Sequence, residues 1–400
     1  MTITPDQAIR ELGPMILLEP TPEEDALRKT VAQLAGEYGP DYFMEKVRAK
    51  EPFDEIWKRL GDLGFLGISL PEEFGGSGEG LWPLACVSEE LAAAGMPMMP
   101  LVFSSAIVSN VLARHGTAEQ RHEWLPRLIS GDATIAFAIT EADAGLNSHN
   151  ISTTARRVGN HWVLNGRKTF ISGADTSAAI LVVARTGTHE TTGRARLSLF
   201  LIPPDAPGLE RSRIPVAVNG TEGQFALFFD DVEVAESQLV GVVDQGLRVM
   251  FEGLNPERIM IATLSTGIGR FALDRGASYA REREVWGVPI GKHQGVAHPL
   301  AKAKIELELA GLMVRKAAAL YDAGSSRAGE AANMAKYAAA DAGVSCVDTA
   351  IQVHGGNGVA IEYGLTDLWW LARFNKIGPV SAEMVLNFVA EHSLGLPKSY

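Results

Sequence analysis

Gly253-Leu254-Asn255-Pro256-Glu257-Arg258, and the apolar run behind it as far as Gln294, is the stretch on which the reading of this chain turns. Asn255 suits a helix N-cap, Pro256 the first helical position and Glu257 the first turn. Behind them Ile259, Ile261, Leu264, Ile268, Phe271 and Ala272 recur with small residues between, which predicts a buried helix with a broad apolar face. It runs to Arg281-Glu282-Arg283 and stops before Gly287-Val288-Pro289. Two readings of Glu257 compete. A carboxylate in a first turn complements the helix dipole; a carboxylate on a rigid element beside Arg258 and apolar neighbours is also a positioned base.

Downstream, helical patterns over 294–322, 327–354 and 381–393 join the first to predict a four-helix bundle. Upstream the period changes. Thr134–Ile139, Ile151–Arg157, His161–Phe170, Ala179–Arg185, Leu197–Ile202 and Gln224–Val232 read as strands of an antiparallel barrel or sandwich, with Val158-Gly-Asn-His161 as a hairpin turn. Before them, Thr21 to about Ile129 is helical, interrupted by the loop Leu70-Pro-Glu-Glu-Phe-Gly-Gly-Ser-Gly78, and residues 1–20 read as an ill-ordered arm. The fold class expected is therefore a multidomain α+β chain: a helical domain over 1–132, a β domain over 133–242 and a helical bundle over 243–400. A ligand is expected where domains meet.

Composition narrows the function. With 46% hydrophobic and 21% charged residues the chain is an ordinary globular one. The net charge of −12 argues against nucleic acid or an anionic membrane surface as partner. Cys86 and Cys346 are the only cysteines, with no CxxC and no histidine cluster, so neither a disulfide framework nor a metal site is expected. No apolar run is long enough to span a bilayer, and Met1-Thr-Ile-Thr-Pro-Asp-Gln has no leader pattern, so the expected location is cytoplasmic. There is no β-α-β rhythm and no GxGxxG after a strand, which speaks against a Rossmann cofactor site.

Four motifs carry chemistry. Phe137-Ala-Ile-Thr-Glu-Ala-Asp-Ala-Gly-Leu-Asn147 ends the first strand in a glycine turn, and Gly166-Arg-Lys-Thr-Phe-Ile-Ser-Gly173 sets an aromatic among hydroxyls on a strand. Arg283-Glu-Val-Trp-Gly-Val-Pro-Ile-Gly-Lys-His-Gln294 follows the long helix, and Gln352-Val-His-Gly-Gly-Asn-Gly358 closes a late one. Each has a plain structural reading: Gly355-Gly356 as a helix C-cap, Phe170 as core, Arg283 as a solvated charge. Together, in order and from Leu70-Pro-Glu-Glu-Phe-Gly-Gly to the C-terminal helix, they resemble the acyl-CoA dehydrogenase family.

The resemblance implies an FAD enzyme that introduces an α,β-double bond into an acyl-CoA thioester. It implies isoalloxazine contacts from Phe137, Ile139, Thr140 and Gly145 and, on another edge, from Phe170, Ile171 and Ser172. It implies adenine and pyrophosphate contacts, crossing between subunits, from Arg283, Trp286, His293, Gln294, Gln352, Val353, Gly355 and Gly356, with Ser381 and Glu383 also beside the cofactor. Arginine suits a pyrophosphate and paired glycines let backbone N–H groups approach it. Leu146, Asn255, Arg258 and Val380 are the positions implied for the acyl-CoA.

The base is where this sequence departs from most of the family, whose glutamate precedes the last helix. Here that segment is Ile377-Gly-Pro-Val-Ser381, and Pro379, which carries neither a titratable group nor an N–H, holds the place. Leu254-Asn-Pro-Glu257-Arg258 resembles the isovaleryl-CoA and long-chain branch, which places its base on the long helix, so Glu257 is assigned as base with Arg258 as its electrostatic neighbour. Leu146, where serine is usual, and Trp370-Leu371, where Arg-Asp is common, are further departures, and Gly95-Met-Pro-Met-Met99 is a candidate for the acyl-tail pocket. His293, His354, Glu141 and Asp143 are read as packing or turn-forming residues, and Trp369-Trp370 as core or interface. The partners expected are an electron-transferring flavoprotein and further copies of this chain, as a tetramer built from two dimers. The rival functions are a flavin oxidase or monooxygenase on the same fold and a non-catalytic acyl-CoA-binding relative.

Overall fold

The structure, a computed structural model, describes residues 20–218, 220 and 222–399. The arm expected over residues 1–20 lies, but for Pro20, outside them. The described residues pack as two compact units: one takes 20–43, Gly80–Pro97 and 258–399; the other takes Met44–Glu79 and, where described, Met98–Glu257.

Among the described residues five α-helices precede the strands: α1 (Pro22–Ala49), α2 (Asp54–Asp62), α3 (Leu81–Ala93), α4 (Ser109–His115) and α5 (Ala118–Ile129). Helix α1 bends where Gly39 takes φ 75° ahead of Pro40. Helix α5 opens with a capping box in which Thr117 Oγ1 accepts from the Gln120 N–H and the Gln120 side chain accepts from the Thr117 N–H.

The sheet unit contains β1 (Ile135–Ala138), β2 (Thr154–Val158), β3 (His161–Ser172), β4 (Ala179–Thr188), β5 (Ala195–Ile202), β6 (Leu209–Ile214), β7 (Gln224–Ala235) and β8 (Leu239–Val240). They pair in the order β6-β7-β3-β2-β4-β5-β8, with β1 added beside β4. Pairing is antiparallel except where β4 meets β1 and β2. The expected hairpin joins β2 to β3, with Val158 opposite His161. Strand β4 is apolar on both sides. Ile180, Val182 and Ala184 face an inner core with Trp162, Phe200, Leu227 and Val232. Leu181 and Val183 face a second core with Leu197, Leu199, Ile107, Leu112, Leu125 and Leu128, which seats the helices of this unit on the sheet. All six expected strands are present; β6 and β8 are additional. Strand β6, Leu-Glu-Arg-Ser-Arg-Ile, lies at an edge and leaves its central side chains exposed, so it carries no apolar alternation to betray it.

Five helices follow: α6 (Gly246–Glu282), α7 (Gln294–Asp322), α8 (Ala328–His354), α9 (Leu365–Phe374) and α10 (Ala382–Phe388), with a small hairpin of β9 (Glu284–Val285) and β10 (Val288–Pro289) after α6. The N-cap expected at Asn255 is corrected: α6 begins at Gly246 and runs through Asn255-Pro256-Glu257. The reason is upstream burial. Val249 and Met250 are buried in the second core, so the apolar face starts earlier than the Pro256 signal suggested. Glu257 therefore sits about three turns inside the helix, beyond the reach of the N-terminal partial charge.

In the helical unit α6 approaches its neighbours closely. A methyl added at Gly269 would stand 2.7 Å from Leu307 on α7 and 3.4 Å from Cys346 on α8. Helix α9, not anticipated, buries Leu365, Leu368, Leu371 and Ala372 at helical spacing.

A lattice of three arginines and three glutamates binds α1, α3, α6 and α7 of this unit. Arg28 reaches Glu24 (3.0 Å), Glu89 (2.7 Å) and Glu90 (2.6 Å). Arg270 grips both oxygens of Glu90 at 2.7 and 3.0 Å, and Arg315 both oxygens of Glu24 at 2.6 and 2.8 Å. Trp82 donates to Glu24 and lies under both Arg28 and Arg315. Burial alone would raise Glu24 and Glu90; the tryptophan donor and arginine at Glu24, and the two arginines at Glu90, overcome it and hold both carboxyls below the usual range.

Candidate active site

In the sheet unit the structure brings two of the four motifs together. The Thr169 N–H donates to the Thr140 carbonyl at 2.9 Å, and Lys168 Nζ donates to the Ile139 carbonyl at 2.9 Å. The end of β1, carrying Phe137, Ile139 and Thr140, is thus stitched to the stretch of β3 carrying Phe170, Ile171 and Ser172. Ile171 is core. Ser172 points the other way, its Oγ accepting from Gln224 Nε2 at 2.8 Å. Between Lys168 and Ile171 the pairing of β3 with β7 slips, and at the slip Phe170 holds φ 56° and is 58% exposed. A bulky residue in the left-handed region, displaying an aromatic face outward, is strained, and such strain gathers at ligand sites.

The turn after β1 is built on one carboxylate. Glu141 accepts from the Ser152 N–H (2.7 Å) and Oγ (2.6 Å), the Thr153 N–H (3.0 Å) and Lys168 Nζ (2.8 Å). Burial would raise its pKa, but Lys168 and these donors bring it down to about 2. Burial also disfavours the Lys168 ammonium, against the attraction of Glu141. With two acceptors on Nζ and four donors on the carboxylate, we read the pair as charged. Gly145 and Leu146 stand exposed on the loop this carboxylate fixes. Lys168 went unnoticed in the sequence, although alternation from Trp162 and Leu164 puts it on the inner face, where a lysine demands a partner.

In the helical unit the other two motifs each touch Tyr279, which belongs to neither. Arg283 donates its N–H to the Tyr279 carbonyl and accepts from the Ile290 N–H at 2.8 Å, closing the β9–β10 hairpin. At its tip Trp286 is 88% exposed, edge-on to His293 at 5.9 Å. Among the described residues, His293 Nε2 is buried without a hydrogen-bond partner. Gln294 opens α7 and is exposed. The Tyr279 ring stacks on His354 at 4.2 Å, beside Gln352, Val353, Gly355 and Gly356 at the end of α8. Ser381 caps α10, accepting from the Met384 N–H, and Glu383 is exposed in its first turn.

Neither half-buried Glu257 nor its neighbours Asn255 and Arg258 lies free on the surface. The Ile377–Ser381 turn holds no acid. Fully buried Lys336 of α8 donates to the Val380 carbonyl at 2.5 Å, and Asn375 Nδ2 donates to Ser265 Oγ at 2.9 Å, pinning the turn from both sides. Of the methionines proposed for a tail pocket, Met98 lines a small cleft of about 80 Å³ with Phe53, Trp57, Pro100 and Phe103, whereas Met96 is packed in a core. Among the described residues no group of side chains could hold a metal, and no helix is long and apolar enough to cross a membrane.

Comparison with known proteins follows the same order along the chain. Residues 21–132 match the acyl-CoA dehydrogenase N-terminal domain, 136–232 the middle domain and 244–394 the C-terminal domain. The acyl-CoA dehydrogenase FadE12 of Mycobacterium tuberculosis is 51% identical over 379 residues, which is 94% of this chain and 97% of that one. A glutaryl-coenzyme A dehydrogenase solved with glutaryl-CoA is 30% identical with a TM-score of 0.89, covering 96% of this chain and 98% of that one. The glutaryl-CoA dehydrogenase of Mycobacterium smegmatis, solved with FADH2, is 25% identical with a TM-score of 0.88, covering 95% and 96%. Three successive domains matched in register, and a relative sharing half its residues along nearly the whole length, place this chain in the acyl-CoA dehydrogenase family.

Proposed function

We propose that this protein is an FAD-dependent acyl-CoA dehydrogenase whose base is Glu257. Phe170 is the observation that carries the cofactor assignment: a strained, outward-facing ring at a strand slip has no use within the fold. The remaining residues fit the cofactor. Gly145 and Gly356 keep ordinary backbone angles, and a methyl added at either would meet nothing within 4 Å. Neither chain geometry nor internal packing requires glycine there, whereas close approach of a ligand does. The buried, unpaired Nε2 of His293 is a further polar group for a ligand to satisfy.

Bound there, FAD supplies the acceptor for the hydride that leaves the β-carbon. The chain supplies the rest. Glu257 takes the α-proton, a role that needs a carboxylate within hydrogen-bonding reach of the carbon. It is carried on the continuous helix α6, about three turns from the start of that helix. Pro379 is consistent with the assignment, because the Ile377–Ser381 turn offers no competing acid and no N–H at 379 for the thioester carbonyl. Arg258 orients the carboxylate, and Leu146 and Val380 border the acyl-CoA.

Electron-transferring flavoprotein is the electron acceptor in this reading. A homo-oligomer is supported by Ile305, Leu309 and Leu312, which form an exposed apolar stripe on α7. A cytoplasmic location agrees with two buried, unpaired cysteines. Acyl-CoA thioesters of different length and branching, mixed anaerobically with the holoenzyme, should bleach the flavin, and admitting air should restore its colour only slowly. Rapid reoxidation with peroxide would make the protein an oxidase, and no bleaching by any thioester would make it a non-catalytic relative.

A further inference from the structure

Gly355 and Gly356 lie between two residues that are fastened to the same pair of tyrosines. Before them, the buried His354 ring stacks on Tyr279 at 4.2 Å and meets Tyr363 edge-on at 5.3 Å. After them, Asn357 Nδ2 donates to the hydroxyls of both Tyr279 and Tyr363, each at 3.1 Å. The tyrosines are themselves set at 6.2 Å, edge to face. Tyr279 belongs to the rigid stem of α6, and Arg275, one turn earlier, donates to the Tyr363 carbonyl at 3.1 Å. The His354 ring is fixed in turn, its Nδ1 standing 2.7 Å from the Ala350 carbonyl. Gly358 completes the arrangement, since a methyl there would stand 2.3 Å from the Ile351 carbonyl oxygen.

The consequence concerns the backbone between the anchors. Gly355 leaves α8 at φ 59° and ψ −131°, a conformation only glycine adopts readily, so nothing intrinsic to the residue holds it in one well. The two outer anchors do that, and they leave the glycine pair exposed, with the Gly355 N–H turned back to the Gln352 carbonyl. An exposed glycine backbone held in one conformation lets an anion such as a pyrophosphate approach closely.

We propose that Asn357 and His354, acting through Tyr279 and Tyr363, are positioning residues that preset the Gly355–Gly356 turn for a dinucleotide phosphate. This rests on the reading that the turn contacts FAD. The Asn357 bridge is exposed in the free turn and strengthens when a ligand excludes water from it.

The test is FAD affinity of the apoprotein, followed by flavin fluorescence quenching, together with kcat at saturating FAD. Asn357→Leu should weaken FAD binding about fivefold to tenfold and leave kcat of the reloaded enzyme within about twofold, and Asn357→Gln should restore part of the affinity. The Tyr279→Phe/Tyr363→Phe double variant should match Asn357→Leu, and adding Asn357→Leu to it should cost nothing more, as expected for one shared unit. Gly356→Val, which intrudes directly on the ligand, separates the two claims. Weaker FAD in Gly356→Val with unchanged affinity in both Asn357→Leu and the double variant overturns the positioning role alone. Unchanged affinity in all of them overturns the reading of the turn as a dinucleotide site, and the proposal with it.

Discussion

Lys168 Nζ stands 2.8 Å from Glu141 Oε1, and neither side chain reaches solvent to any extent. This pair fastens the turn after β1 to β3, so it fixes the distance between Thr140 and Phe170.

Removing either partner should be costly, but unequally so. Lys168→Met leaves Glu141 three donors, and a loss of about 3 kcal/mol is expected. Glu141→Leu strands a buried ammonium and two N–H groups at once, so the loss should approach about 5 kcal/mol. Urea melts of the two variants check the order.

The same pair predicts an acid limit. The folded pKa of Glu141, about 2, lies below its unfolded value, so its contribution is complete above the unfolded pKa and is lost as pH falls towards 2. That contribution is at most about 3 kcal/mol. Melts between pH 6 and pH 3 should show a shallower decline in Lys168→Met, whose carboxylate has lost its cation and so lies closer to its unfolded pKa.

Phe170→Gly separates fold from function by sign. Relief of the left-handed strain should raise apoprotein stability by about 1 kcal/mol, because the exposed ring contributes little packing. FAD retention on desalting should fall all the same. A variant that gains stability and keeps its flavin would remove Phe170 from the site.

The arginine–glutamate lattice should behave as a unit. Arg270→Met alone leaves Glu90 with Arg28 only and should cost about 3 kcal/mol. Glu90→Gln should cost a similar amount, and the double variant clearly less than the sum. Chemical denaturation of the four proteins measures the coupling.

Much of this was legible before any coordinates. The six expected strands and most long helices announced themselves because each buries apolar side chains, and burial writes periodicity into sequence. Strand β6 and helix α9 did not: one lies at an edge with Glu210, Arg211 and Ser212 exposed, the other spans ten residues between glycine-bearing turns. At Asn255-Pro256 local chemistry favoured a helix start, and burial of Val249 and Met250 overrode it. The motif residues were found in order, but their supports were not. Lys168, Tyr279 and Tyr363 act through partners tens of residues away, and no spacing rule joins Glu141 to Lys168 or Asn357 to Tyr279.

The central claim is that Glu257 removes the proton, and one measurement addresses it most directly: anaerobic reduction of enzyme-bound flavin by an acyl-CoA in Glu257→Gln, with FAD content determined on the same sample. Full FAD occupancy with the reduction rate down by about a hundredfold or more is the result predicted for loss of a general base. Reduction at the unmodified rate, with FAD in place, would contradict it.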